Sequence, residues 1–177
     1  RREAASRLAR VLETTEIQGL KTNRDFLVTT LRTPEYLAGD TTTDFIERVK
    51  PSLIREVSRQ ELVEAAIATT IEGQARRRAS AKVLGTMSSG WRNSTMPMER
   101  ISYKFGKKEE VEVAYKRQRN DEFAVIVDDQ AMQVTCYPGG EGNVDLDIDG
   151  RRLHFNVAPH VEDWLVHSNN GDLRLTE

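Results

Sequence analysis

One cysteine, Cys136, is all the sulfur chemistry of this kind that the 177 residues contain, and with no second thiol a disulfide framework is excluded. It sits in the β-favouring run AMQVTCYP, where it reads as a small packed or half-exposed strand residue rather than a reactive thiol. Positive charge is not in excess either. A formal net charge of -2, with acids and bases interspersed, leaves nothing to hold a phosphate backbone and argues against nucleic acid as a partner. No run approaches the roughly 20 apolar residues of a membrane span, and RREAASRLARVLE reads as an amphipathic helix, not a signal peptide. The expectation is a soluble chain without a membrane partner. Missing, too, are a Walker loop, a dinucleotide fingerprint, a nucleophile elbow and HExxH.

What is present falls into three zones. In the first, Ala4, Leu8, Val11 and Leu12 recur at helical spacing from Arg1 to about Glu16, followed by a loop turning at Gly19. RDFLVTTLRT predicts a second helix with Asn23 as N-cap and Pro34 marking the break. PEYLAGDTTTDFIERV reads as a loop ending in a further helix, capped by Thr42 or Thr43, with Phe45, Ile46 and Val49 on its buried side. A piece of this kind is the tail of a larger domain more readily than a fold in itself.

The second zone, from about Ser58 to Leu84, is one long helical pattern. Ser58 and Glu61 have capping-box spacing. Ala65, Ala66, Ala68, Gly73, Ala75, Ala79 and Ala81 place small side chains around most of the circumference, as a helix wrapped by other elements requires. ARRRAS is its basic exit, either a solvated last turn that favours cations or an anion contact.

In the third zone the period drops to two. ERISYKFG, EEVEVAYKRQ, DEFAVIVD, QAMQVTCYP, NVDLDID, RRLHFNVAP, VEDWLVHS and DLRLTE predict eight strands, with Asp149-Gly150 and Asn170-Gly171 the clearest hairpin turns and His160 a separator. Eight antiparallel strands suffice to close a barrel and so remove exposed edges. The predicted fold is α+β: a short helical tail, then a long helix associated with or wrapped by an eight-stranded antiparallel barrel. DLDIDG matches half an EF-hand loop, but Asn156 stands where the bidentate glutamate belongs, and Leu146 and Ile148 alternate as in a strand. His154, His160 and His167 lack metal-ligand spacing. No catalytic, cofactor or metal residues are assigned. The loop GTMSSGWRNSTMP, however, sets Trp91, Arg92 and Asn93 among small polar residues, which asks what the tryptophan packs against.

Two segments carry a resemblance. IQGLKTNRDFLVTTLRTPEYLAGDTTTDFIE, residues 17–47, resembles the C-terminal end of the biotin carboxylase domain, through Gly19, Thr22, Asn23, Phe26, Leu27, Tyr36, Gly39, Thr42 or Thr43, Phe45 and Ile46. GWRNS, residues 90–94, resembles the connecting segment of acyl-CoA carboxylase α subunits of the propionyl- and 3-methylcrotonyl-CoA type. The resemblance implies a BT domain, a long helix with an eight-stranded barrel around it, whose helix-to-strand loop hooks onto the carboxyltransferase β subunit. It implies residues 1–57 as the end of the biotin carboxylase domain and 58–177 as the connecting domain, with helix 58–84, hook loop 85–98 and barrel 99–177. Trp91, Arg92, Asn93 and Met96 are then the partner-binding residues, Trp91 as the buried aromatic and its neighbours as hydrogen-bonding edge; the alternative is that Trp91 closes one end of its own barrel. The family's ATP-grasp elements and its A-M-K-M biotinylation site are not in this sequence, and TMPMER has no lysine between its methionines. The expectation is therefore an internal, non-catalytic segment, itself without cofactor. Its parent subunit, cytoplasmic or in the mitochondrial matrix if eukaryotic, would use biotin, ATP and Mg2+ or Mn2+ in neighbouring biotin carboxylase and biotin carrier domains. A second reading, from another class, is a self-contained barrel holding a small apolar ligand.

Overall fold

The computed structural model describes residues 1–82, 97–118 and 121–177, and these divide into two compact units. One comprises Arg1–Val57 with Asn169–Asp172; the other comprises Ser58–Ser168 with Leu173–Glu177.

The first unit holds four helices, α1 (Arg2–Thr14), α2 (Arg24–Arg32), α3 (Pro34–Ala38) and α4 (Phe45–Val49). Ala5 and Ala9 of α1 meet Val28 and Leu31 of α2, with Leu12, Tyr36 and Leu37 packed around them. The buried stripe is thus not the one the spacing suggested: Ala4 is exposed, as are Leu8 and Val11, and only Leu12 turns partly inward. Alanines let the two helix axes approach, and the stripe with the smallest residues took the contact. Asn23 does stand at the N-cap of α2, but its side chain bonds no backbone; Thr22 Oγ1 instead accepts from the Arg24 amide at 3.3 Å.

PEYLA, expected as loop, is the helix α3. Pro34 starts it at a position where a missing N–H costs nothing, and Thr33 Oγ1 accepts from Tyr36 N at 3.4 Å. Asp44, rather than Thr42 or Thr43, occupies the N-cap of α4, with the Thr42 hydroxyl donating to its carboxylate. Phe45 is buried and stacks edge-on against Tyr36, whereas Ile46 is exposed.

The second unit is a closed barrel of eight consecutive antiparallel strands around one helix, α5 (Arg59–Ala79). Ser58 caps that helix through its side-chain oxygen, which accepts from Glu61 N at 3.2 Å. From Ala65 to Gln74 every residue is buried, so the helix has no solvent face over nearly three turns. Thr69 and Thr70 fit this apolar sleeve because their hydroxyls donate back to the Ala65 and Ala66 carbonyls, each at 2.8 Å. The helix stops at Ala79, short of the expected Leu84. Ser80 caps it, its hydroxyl donating to the Arg77 carbonyl at 3.1 Å.

The strands are β1 (Glu99–Phe105), β2 (Glu109–Arg117), β3 (Glu122–Val127), β4 (Gln130–Tyr137), β5 (Asn143–Ile148), β6 (Arg151–His160), β7 (Asp163–Ser168) and β8 (Gly171–Thr176). Period-two alternation aims Tyr103, Val113, Val125, Val134, Leu146, Val157 and Leu175 at α5, all essentially inaccessible. Lys104 opposite Thr176 closes β1 onto β8.

Asp128-Asp129 and Asp149-Gly150 both turn with positive φ, the two-residue geometry that matches strand twist; short polar side chains tolerate it. The β6–β7 connection differs from expectation. His160 belongs to β6 rather than separating two strands, and Val161, expected in β7, lies in the turn at φ 57°, 95% exposed. In the β4–β5 connection a Cβ on Gly139 would lie 2.2 Å from the Asn143 carbonyl oxygen, so the backbone there has room for glycine alone. Gly139→Ala is expected to lower barrel stability by about 1–3 kcal/mol in urea titrations; an unchanged midpoint would mean the turn opens freely.

Candidate functional site

The four residues expected to bind a partner, Trp91, Arg92, Asn93 and Met96, lie outside the described residues. The structure does describe where the chain leaves α5 and where it enters β1. Three side chains tie these points together. Arg77, in the last turn of α5, donates to the Tyr115 hydroxyl at 3.2 Å, and that hydroxyl donates to Glu99 Oε2, on the first residue of β1, at 2.8 Å. Tyr115 is 1% exposed although its oxygen bridges two charges. Burial first, and then the Glu99 carboxylate, pushes its hydroxyl up to about 12, so it stays a neutral donor.

A second tyrosine lies deeper on the same helix face. The Tyr103 and Thr70 hydroxyls are 3.2 Å apart in the sleeve, and burial raises the Tyr103 pKa further. Trp164 reaches α5 as well. Its ring would stand 3.4 Å from a Cβ at Gly73, and its indole donates to Glu177 Oε2 at 3.2 Å. The last turns of α5 are thus tied to the barrel by aromatic packing at Gly73 and by charge-assisted bonds at Arg76 and Arg77. Each of the two readings of ARRRAS describes part of it: Arg76, Arg77 and Arg78 form a basic last turn in which Arg77 is exposed while it bonds Tyr115, and Arg76 contacts the carboxylates of Glu72 at 2.7 Å and Glu141 at 3.3 Å.

The other chemical signals have structural uses. Asp147 Oδ1 accepts from Gly150 N at 2.7 Å and Asp149 Oδ1 from Gln133 N at 3.1 Å, so the DLDIDG carboxylates shape the β5–β6 turn. Asp145 pairs with Arg152 at 3.1 Å and His154 at 3.3 Å, which holds its carboxyl below the usual range. Among the described residues no group of three or more His, Cys, Asp or Glu is placed to hold a metal ion. Cys136 is half-buried in β4, and burial pushes its thiol up, away from thiolate chemistry. No helix among the described residues is long and apolar enough to cross a membrane.

The Arg77–Tyr115–Glu99 bridge was invisible in the sequence. Its members are 38 and 16 positions apart, and only strand pairing brings them together. The one local signal was a tyrosine on the inward parity of β2.

An eight-stranded antiparallel barrel closed around a small-residue helix, with the helix exit and strand entry clamped at one end, defines a helix-centred barrel domain. Residues 58–177 match the family described as methylcrotonyl-CoA carboxylase, alpha-subunit, BT domain, and residues 1–48 match the biotin carboxylase C-terminal domain. The chain belongs to this BT-domain family, and the two matches place it in the α subunit of a biotin-dependent carboxylase. No curated protein matches it.

Proposed function

We propose that this chain is a non-catalytic assembly segment that docks its α subunit onto the carboxyltransferase β subunit through the residues between α5 and β1, with Trp91 as anchor and Arg92, Asn93 and Met96 around it. The observation that carries the proposal is the clamp of Arg77, Tyr115 and Glu99, which fixes both stems of that segment to a rigid barrel. A docking element presented on fixed stems loses less freedom on binding than one on a mobile linker. Tryptophan suits the anchor position because it covers a large apolar area with few rotatable bonds.

In this reading the segment sets a fixed distance between the two catalytic centres of the parent enzyme, and a biotin carrier tethered to the same subunit gains effective concentration at both. Biotin, ATP and Mg2+ or Mn2+ belong to the neighbouring biotin carboxylase and carrier domains, in the cytoplasm or the mitochondrial matrix. The interior of the barrel is taken up by α5, so no observation favours a small apolar ligand held there.

Mass photometry of the chain with a purified acyl-CoA carboxyltransferase β oligomer tests the proposal. Saturable binding is expected, weakened by about 2 kcal/mol or more in Trp91→Ala. Unweakened binding together with a lower melting temperature would show instead that Trp91 closes its own barrel, and no binding at concentrations where a full α subunit assembles would remove the docking role.

A further inference from the structure

Arg77 carries the clamp at the helix exit, yet its own bonds hold it weakly. The residue is exposed, and among the described residues its hydrogen bond goes to a neutral phenol, the Tyr115 hydroxyl at 3.2 Å, rather than to a carboxylate. An arginine kept in one rotamer gives up more side-chain freedom than most residues, and one bond to a neutral oxygen offsets little of that. Packing supplies the rest. Gly73 is buried one turn earlier on the same face of α5. A Cβ placed on it would stand 3.3 Å from Arg77 Nη1 and 3.4 Å from Trp164 Cζ2, so the guanidinium and the benzo edge of the indole lie against the same bare stretch of helix backbone. Trp164 is anchored in turn, its indole N–H donating to Glu177 Oε2 at 3.2 Å. A flat ring suits this task because a guanidinium packs beside it and keeps its N–H groups for other partners.

We propose that Trp164 is a positioning residue for the docking segment, holding Arg77 over Gly73 so that its guanidinium stays on the Tyr115 hydroxyl and the bridge to Glu99 remains closed. The inference rests on the docking function proposed above and adds to it a residue of β7, outside the segment that docks. Its signature is coupling. Trp164 acts through Arg77 and Tyr115, so removing the ring and removing the bridge weaken docking once rather than twice.

The test follows the Arg77 Nε–H group of the chain by NMR relaxation and measures binding to the purified carboxyltransferase β oligomer by mass photometry. In Trp164→Leu the Arg77 signal is expected to lose order while Arg76, paired with Glu72 at 2.7 Å, keeps its own. Binding is expected to weaken about fivefold or more. Tyr115→Phe weakens it to a similar extent, and the double variant binds within about twofold of the weaker single one. Trp164→Phe, which keeps an aromatic wall and loses the bond to Glu177, is expected to hold Arg77 ordered and to bind like wild type. The inference is overturned if Arg77 is as ordered in Trp164→Leu as in wild type, if the two losses multiply in the double variant, or if Trp164→Phe loses as much as Trp164→Leu. Should Trp164→Leu fail to fold, Trp164→Met, which fills space with a flexible chain in place of a flat ring, takes its part in the same measurements. A wild-type chain that does not bind the β oligomer removes the docking reading and the inference with it, whereas equally tight binding by wild type and Trp164→Leu removes the inference alone.

Discussion

Ala66→Leu is expected to destabilise the barrel by about 3 kcal/mol or more, whereas Ala79→Leu on the same helix changes stability by less than about 0.5 kcal/mol. Helix propensity separates the two substitutions hardly at all, since leucine replaces alanine in each. What differs is room. Ala66 is one of four consecutive residues, Ala65 to Ala68, with no accessible surface, and four consecutive residues cover every side of a helical turn. A helix packed on one surface accommodates an added isobutyl group by tilting away. Inside a closed barrel a tilt that relieves one wall presses on the opposite one, and widening the wall breaks inter-strand bonds. Ala79, at the exit, is exposed. Urea unfolding of both variants measures the contrast. Equal, small losses would show that α5 lies against the barrel rather than within it.

The same alanines explain how the fold could be read from the sequence and where that reading stopped. A helix with Ala65, Ala66, Ala68 and Gly73 on several faces has one economical explanation, enclosure, and eight period-two runs supply the enclosing wall. Both signals are local and strong, and the structure shows both. Helix α1 fared differently because its sequence offers two stripes with the same spacing, Ala4, Leu8, Val11 and Ala5, Ala9, Leu12, displaced by one residue. Hydrophobicity selects the first; close approach to α2 selected the second, and nothing in α1 itself reports how near α2 comes. Ile46 and Val161 make a related point, since an apolar side chain is weak evidence of burial at the end of a short element.

The helix α3 escaped notice because five residues cannot show a helical period. Its start signal, Thr33 followed by Pro34, is what the residues offer in its place. At the candidate site, Trp91 stands out by contrast with its loop, a signal of composition. The Arg77–Tyr115–Glu99 clamp depends on barrel closure and strand register, and no single-sequence pattern encodes which strand residue faces which arginine.

The two buried tyrosines make the barrel sensitive to alkali, with stability expected to hold up to about pH 10 and to fall as the pH rises toward 12. The direction follows from which state keeps its protons. An unfolded tyrosine ionises near pH 10, whereas burial, and for Tyr115 the adjacent Glu99 carboxylate, raises the native values, to about 12 for Tyr115 and further for Tyr103. Below the unfolded value both states are protonated and the full stability is present. Between the unfolded and folded values the unfolded chain releases protons that the barrel retains, so each pH step favours unfolding.

Two pH units on Tyr115 alone set an upper bound of about 3 kcal/mol, reduced to the extent that Arg77 stabilises the phenolate and solvent screens the network. Tyr103 acts in the same direction. Urea midpoints measured across this interval, with phenolate absorbance followed in parallel, give the slope. Tyr115→Phe starts lower, because Arg77 and Glu99 lose their bridge, and then declines less steeply with pH. If all four tyrosines ionised together near pH 10 with the barrel still folded, Tyr103 and Tyr115 would be in contact with water, and neither the sleeve around Thr70 nor the clamp at the helix exit would exist in solution.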